Sequence, residues 1–168
     1  MPHDISEKII AGMDVKGLIS NNVVMVKPKV LTIIYGGIVM IQIKSESEKR
    51  LIIPCRVNSD IGYFLVDSGA SVGLIDDTQV KKYGLLVGKR FNGTLVGAGG
   101  EMCNIKHCNT FVEVGGKSIP QFLIADIEGV VKSIERETGI KILGIISLPQ
   151  MKMVGMNVDS NDNLIIIE

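Results

Sequence analysis

The residues best suited to chemistry lie where an apolar segment runs directly into an acid. The segment is Phe64-Leu65-Val66-Asp67, and small residues follow it, namely Ser68, Gly69, Ala70 and Ser71. Small residues let the backbone turn sharply and let a second chain approach closely. We expect the Ser68 hydroxyl and nearby backbone N–H groups to orient the carboxylate, which makes Asp67 the candidate catalytic residue.

An ordinary turn is the competing interpretation of this segment, since Asp-Ser-Gly is common in turns. The flanking residues favour a site instead. An apolar strand that enters the turn directly, and the Ala70-Ser71 pair just beyond it, are not required of a simple turn.

A second group of small residues forms a candidate hairpin tip. Gly97, Ala98, Gly99 and Gly100 lie between apolar flanks, which predicts a hairpin within residues 91–104. A phosphate-binding loop is the alternative. The dinucleotide fingerprint would need Gly or Ala where Met102 stands, and no Lys-Ser/Thr pair follows for a Walker loop. The segment therefore matches neither the dinucleotide fingerprint nor the Walker loop, which disfavours nucleotide binding.

Cys103, His107 and Cys108 have the chemistry of metal ligands. Their spacing is irregular, and the other candidates, Cys55 and His3, are remote in sequence. Structural zinc needs four ligands in recognisable pairs, so we expect no metal. Buried or half-buried free thiols are the expected state of the three cysteines. The N-terminus shows no secretory signal, so reduced thiols and a cytoplasmic location are predicted.

The composition favours a single, mainly β domain. The 168 residues include 25 Ile and 18 Val, and such β-branched side chains suit a pleated, half-buried surface. The formal net charge is zero, which gives no electrostatic signature for nucleic acid or an anionic membrane. The longest apolar stretch, residues 31–43, is too short to span a bilayer. We therefore expect neither nucleic acid nor membrane as a partner.

Turn and cap residues give the order of the expected elements. Pro54 indicates an edge strand or a bulge, and one helix has its apolar face at Ile127, Val130, Val131 and Ile134. The expected elements are a strand pair or one bent strand in 30–43 around Gly36-Gly37, strands in 51–57 and 61–66, a short helix after Asp76 ending at Gly84, a hairpin of 111–114 with 118–125 around Gly115-Gly116, a helix after Asp126 ending at Gly139, an apolar segment ending at Pro149, and a last strand in 164–167.

Residues 66–71 resemble the active-site signature of retropepsins, the aspartic proteases of retroviruses and their cellular relatives. A second similarity is Ile142-Leu143-Gly144, which matches the two apolar residues and a Gly that this family carries near the C-terminus. The glycine-rich tip lies between the two motifs, where the family places its flap. The resemblance covers residues 30–168, whereas residues 1–29 form a segment of unclear role.

The resemblance implies a mainly β fold, with a closed acid-protease barrel, a flap hairpin and one or two short helices. It implies an endopeptidase without cofactor, in which Asp67 is catalytic and Ser68, Gly69, Ala70 and Gly144 support the site. Gly97, Ala98, Gly99 and Gly100 would close over a peptide or protein substrate. Because the chain holds one such motif, a homodimer would supply the second Asp67.

The sequence departs from the family pattern at one informative position. Many relatives carry Asp or Asn two residues after the apolar-apolar-Gly motif, whereas this chain has Ile146. This departure leaves open a second hypothesis, in which the fold serves as a catalytically silent dimerisation or peptide-binding module. A further hypothesis is that an active enzyme processes its own N-terminal segment.

Overall fold

A computed structural model describes residues 30–97 and 99–168 of the chain. The N-terminal segment 1–29, including a short helix suggested near Ser6, and the tip residue Ala98 lie outside the described residues. The strands are β1 (Val30–Tyr35), β2 (Ile38–Lys44), β3 (Ile52–Val57), β4 (Asp60–Asp67), β5 (Gly73–Asp76), β6 (Val87–Arg90), β7 (Leu95–Gly97), β8 (Gly100–Met102), β9 (Lys106–Cys108), β10 (Val112–Val114), β11 (Lys117–Ile119), β12 (Phe122–Ala125), β13 (Gly144–Ser147), β14 (Met156–Asp159) and β15 (Leu164–Ile167).

Three short α-helices accompany the strands in the described part of the chain. They are α1 (Val80–Tyr83), α2 (Glu128–Thr138) and α3 (Leu148–Val154), and a 3-10 turn (Asp77–Gln79) precedes α1. The expectation of one or two helices missed α3.

Nine strands form the main sheet, in the order β11-β10-β3-β4-β13-β5-β12-β9-β6. The sheet curls into a half-barrel, and β11 and β6 remain as its two edge strands, so a closed barrel is not confirmed. At its centre β13 lies between β4 and β5, parallel to the first and antiparallel to the second. The chain must therefore pass around β13 on its way from β4 to β5, and Asp67 begins that passage.

A second sheet joins the beginning and end of the described chain, in the order β1-β2-β15-β14. Gly36 and Gly37 form the β1–β2 turn with positive φ angles of 57° and 83°, so of the two alternatives for residues 30–43 the strand pair is correct and the single bent strand is not. The final strand pairs with both β14 and β2.

Two apolar clusters cover the two faces of the main sheet. Phe64 and Val66 of β4 belong to the larger cluster, which also contains residues of the second sheet. Leu65 belongs to the smaller cluster, which contains Val131 and Ile134 of α2. This alternation is the period of two expected of a strand buried on both faces.

Capping residues in the sequence correctly predicted where α1 and α2 end. The Asp76 side chain accepts a hydrogen bond from Thr78 N, and Gly84 and Gly139 end α1 and α2 in the left-handed conformation. The Asp126 carboxylate accepts a hydrogen bond from Glu128 N at 3.1 Å, although Ile127 is the residue at the N-cap position itself.

Four expectations require correction. Residues 118–125 are not one strand, because Pro120 and Gln121 interrupt it and Gln121 has a positive φ of 66°. Pro149 does not end a segment but lies in the first turn of α3, where proline needs no hydrogen-bond partner.

Two side chains expected to be buried are exposed. Val130 is exposed rather than part of the buried face of α2, and Cys103 is exposed rather than buried or half-buried.

Pro54 was expected to indicate an edge strand or a bulge, and the strand around it is an edge only locally. The strand β3 has neighbours on both sides, but β10 pairs with it only at Arg56 and Val57. Pro54 therefore lies beyond the end of that ladder, where no backbone donor is needed.

None of the helices within residues 30–97 and 99–168 has the length and apolar character required to cross a membrane.

Candidate active site

Asp67 is the last residue of β4, directly after three buried apolar residues. It is half-buried in the single chain, and its neighbour across the parallel ladder is Ser147 of β13. The carboxylate of Asp67 therefore lies where the chain leaves the core of the main sheet.

A tight turn holds the Asp67 carboxylate. Gly69 N donates to Asp67 Oδ1 at 2.8 Å, and Ala70 N donates to the Asp67 carbonyl oxygen at 3.1 Å. A Cβ at Gly69 would come within 3.1 Å of Oδ1, so glycine permits this close approach. Among the described residues Asp67 Oδ2 has no hydrogen-bond partner, and the exposed Ser68 hydroxyl has none there either. One carboxylate oxygen therefore keeps its acceptor capacity with respect to these residues.

Gly144 occupies the crowded centre of the main sheet. It lies opposite Phe64 on one side and Ile75 on the other. A Cβ at this position would overlap the Leu74 carbonyl oxygen and approach the Phe64 ring to 2.9 Å. Glycine is thus what lets β13 fit between β4 and β5.

The glycine-rich hairpin forms as the sequence predicted. Gly97 pairs with Gly100, and Gly100 has a positive φ of 106°. The tip glycines Gly99 and Gly100 have open space around them. At the base of the hairpin, Leu95 and Met102 pack against the smaller apolar cluster, as do Ala70 and Val72 beside the Asp67 turn. The hairpin base and the Asp67 turn therefore share one apolar support.

Two buried polar residues near Asp67 were missed by the sequence analysis. Ser147 is 1% exposed and Gln150 is 2% exposed. Ser147 N and Ser147 Oγ donate to Gln150 Oε1 at 2.9 and 3.1 Å, while Gln150 Nε2 donates to the Pro120 carbonyl oxygen at 2.7 Å. The signal that could have found them is Ser-Leu-Pro-Gln, a helix-capping pattern.

Ile146, the position that departs from the family pattern, is fully buried in the larger apolar cluster. No polar side chain can act from that position in this chain.

A second group of carboxylates lies at the far end of β5. Asp76 is fully buried, whereas Asp77 is largely exposed. Partial burial raises the pKa of Asp77, and repulsion from Asp126, Asp76 and Glu128 raises it further, against a lowering hydrogen bond from Thr78 N.

Cys55, Cys103, His107 and Cys108 are the described cysteines and histidines. Within the ranges that the structure describes, no group of three or more His, Cys, Asp or Glu could hold a metal ion. Cys55 is fully buried in the core, and burial raises the pKa of its thiol.

A surface cavity of about 670 Å³ lies elsewhere on the molecule. It is lined by the start of β4 and the ends of α1 and α2, including Asp60, Tyr63, Lys82 and Gly139, and Asp67 does not contribute to it. The cavity is therefore separate from the candidate active site.

Comparison with known proteins identifies the fold. No protein-family model matches the sequence, and no curated protein matches it. Among solved structures the chain is similar to the EIAV protease in complex with an inhibitor, with a TM-score of 0.50 and 18% identity over 70% of this chain and 99% of that protease. It also matches the retroviral protease-like domain of Ddi1 from Leishmania major, with a TM-score of 0.49 and 26% identity over 71% of this chain and 88% of that one.

A third match is a retropepsin-like aspartic protease from Rickettsia conorii, with a TM-score of 0.48 and 18% identity over 76% of this chain and 88% of that one. At 18% identity the likeness to the EIAV protease concerns the fold alone. The curled sheet and the order of its strands therefore give this chain a retropepsin-like fold.

Proposed function

We propose that this chain is an aspartic endopeptidase whose active site forms between two copies, with Asp67 from each. The observation that carries the proposal is the half-satisfied Asp67 carboxylate at the end of a buried strand. One oxygen accepts a hydrogen bond from Gly69 N, and the other has no partner among the described residues. A carboxylate held in position but not saturated can share a proton with its twin.

The chemistry follows from two like charges in close contact. Two adjacent carboxylates cannot both ionise easily, so the pair holds one proton and titrates as a unit. The ionised Asp67 takes a proton from a water molecule, and the protonated Asp67 polarises the scissile carbonyl. Ser68 and Gly69 would hold the two turns together across the two-fold axis, with Ala70 and Gly144 as structural support.

The substrate would be an extended peptide bound as an added strand. The hairpin tip at residues 97–100 would close over it and offer backbone N–H groups, for which glycines at the tip are suited. On this proposal residues 30–168 form the protease domain and residues 1–29 a separate segment, which is a candidate for self-processing.

The test is cleavage of a mixed peptide library between pH 4 and 7, read by mass spectrometry beside an Asp67→Asn control. We expect the parent to cleave with a bell-shaped pH profile and the control not to cleave. Sedimentation of the same samples gives the fraction of dimer. Cleavage by both proteins would contradict the role of Asp67.

The second candidate function is a silent dimerisation or peptide-binding module. The buried apolar Ile146, at a position where many relatives carry Asp or Asn, favours it. A dimeric parent that binds peptides of the library but cleaves none of them would establish this function and exclude the first.

A further inference from the structure

Gln150 lies at the junction of three segments, two of which adjoin the Asp67 turn. It is in the first turn of α3, is 2% exposed, and uses both ends of its carboxamide. Its oxygen accepts from Ser147 N and Ser147 Oγ, and its nitrogen donates to the Pro120 carbonyl oxygen. A buried amide satisfied on both sides has one orientation only, because a flip would place donor against donor.

The contacts with Ser147 lead to the Asp67 turn. Ser147 is the partner of Asp67 in the parallel ladder. The next residue, Leu148, donates its N–H to the Ala70 carbonyl oxygen at 3.1 Å, which fixes the turn to the start of α3. The Gln150 side chain thus holds the helix turn on which Ala70 rests.

The other end of the turn also meets Gln150. Gly73 begins β5, where the chain re-enters the sheet after the turn, and a Cβ at Gly73 would overlap the Gln150 carboxamide. Gly73 is buried, so its backbone packs directly on that group. Pro120, the third contact, immediately precedes Gln121, a non-glycine residue with a positive φ of 66° at the break between β11 and β12.

From these contacts we infer that Gln150 is a positioning residue, which sets the Asp67 turn by joining α3, β5 and the β11–β12 break. The inference rests on the proposed function for its catalytic consequence. It concerns orientation: Gln150 acts through Ser147, Leu148 and Gly73 and touches no reacting atom. A small displacement of a catalytic group lowers turnover strongly.

A second buried glutamine provides a matched control. Gln79 is 3% exposed, and its Nε2 donates to Asp76 Oδ2 and to the Ile142 carbonyl oxygen, both at 2.9 Å. It lies at the Asp76 end of β5, whereas Gln150 lies at the Gly73 end. Replacement of either by Met keeps the approximate length of the side chain and removes its hydrogen bonds.

The experiment compares Gln150→Met with Gln79→Met in the full chain, by kcat and KM on a peptide that the parent cleaves. We expect Gln150→Met to lower kcat by about 10- to 100-fold with KM changed less than about threefold. Gln79→Met is expected to lower Tm by about as much as Gln150→Met does. The kcat of folded Gln79→Met should stay within about twofold of the parent's value. Equal kcat values for the two variants would overturn the inference.

Gln150→Glu is a second variant, which serves if the Met variant does not fold. In the neutral form that burial favours, its carboxyl group can still accept from Ser147 and donate to the Pro120 carbonyl oxygen, so a kcat between those of Gln150→Met and the parent is expected. A kcat for Gln150→Glu below that of Gln150→Met would contradict the proposed role.

Amide hydrogen exchange makes the inference independent of the proposed function. In Gln150→Met the Gly69 and Leu148 amides are expected to exchange faster than in the parent, and in Gln79→Met they are expected to be unchanged. If the parent cleaves nothing, the proposed function fails while this readout still decides the role of Gln150. Equal exchange in both variants would overturn the inference.

Discussion

Two aspartates end β4 and β5, the strands on either side of β13 in the main sheet, and they differ in burial and in hydrogen bonding. Asp67 ends β4, is half-buried, and its side chain accepts one hydrogen bond from the part of the chain that the structure describes, from Gly69 N at 2.8 Å. Asp76 ends β5, is fully buried, and accepts three, from Thr78 N at 3.3 Å, Thr78 Oγ1 at 2.8 Å and Gln79 Nε2 at 2.9 Å. A saturated carboxylate organises its surroundings, whereas an unsaturated one is available for chemistry.

The contrast depends on the residues that follow each aspartate rather than on the strand that ends in it. Both strands border β13. Ser147 of β13 lies beside Asp67 in the parallel ladder. Leu143, the residue just before β13, accepts a hydrogen bond from Asp76 N at 2.9 Å. A Gly-containing turn follows Asp67, and a 3-10 turn with polar side chains follows Asp76. The residues after each acid therefore decide whether it becomes structural or stays free.

The largest expected effect is the loss of activity in Asp67→Asn without loss of stability. The asparagine of this variant can still accept from Gly69 N but cannot ionise, so cleavage is expected to fall by about 10²-fold or more. Its free energy of unfolding is expected to change by less than about 0.5 kcal/mol, since the side chain is half-exposed. The measurements are peptide cleavage and urea unfolding of the same preparation. A strongly destabilised Asp67→Asn would mean that Asp67 has a structural role after all.

Asp76→Asn is the converse change and is expected to affect stability. One acceptor oxygen becomes a donor, so Thr78 N loses its partner in one orientation of the amide and the buried Gln79 Nε2 loses it in the other. An unsatisfied buried group costs about 1–3 kcal/mol, and urea unfolding should show this loss relative to the parent.

Activity provides the control for Asp76→Asn. Its kcat, measured on folded protein well below the unfolding midpoint, should stay within about threefold of the parent. If Asp76→Asn lost cleavage as completely as Asp67→Asn, the assignment of one acid to structure and one to chemistry would be wrong.

The sequence predicted features with local signals. The hairpin at Gly36-Gly37, the caps at Gly84 and Gly139, and the strand that ends in Asp67 all follow from residues close in sequence. Each depends on a positive φ, a cap or a continuous apolar run, and such signals need no knowledge of distant partners.

Long-range pairing could not be predicted in the same way. The parallel ladders of β4 with β13 and of β5 with β12 join segments far apart in sequence, and no residue encodes the choice. The support of Asp67 by Gln150 depends on that pairing, because it exists only once β13 lies beside β4. The start of α3 is a different case, since Ser147, Pro149 and Gln150 carry a local helix-capping signal, although the sequence analysis takes Pro149 as a stop.

The smallest expected effect concerns Asp77, beside the saturated Asp76. Burial and three neighbouring acids raise the pKa of Asp77 above its ordinary value of 3.8, which means that the fold favours the neutral form. The contribution of that form to stability is present below pH 3.8 and is lost as the pH rises through the folded pKa. Asp77→Asn should therefore have a higher Tm than the parent at pH 7, and the difference should vanish below pH 3.8.

The gain from Asp77→Asn should be small because the side chain is largely exposed and solvent screens the repulsion. Asp126→Asn removes one of the same repulsions and keeps an oxygen for the hydrogen bond from Glu128 N, so it should give a Tm gain of the same sign. Thermal unfolding of both variants across the pH range makes the comparison. A gain of equal size at about pH 3 and about pH 7, on either side of the Asp77 titration, would show that the benefit comes from the amide itself. The Asp76 end of β5 would then carry no electrostatic strain, and its difference from the Asp67 end would lie in hydrogen bonding alone.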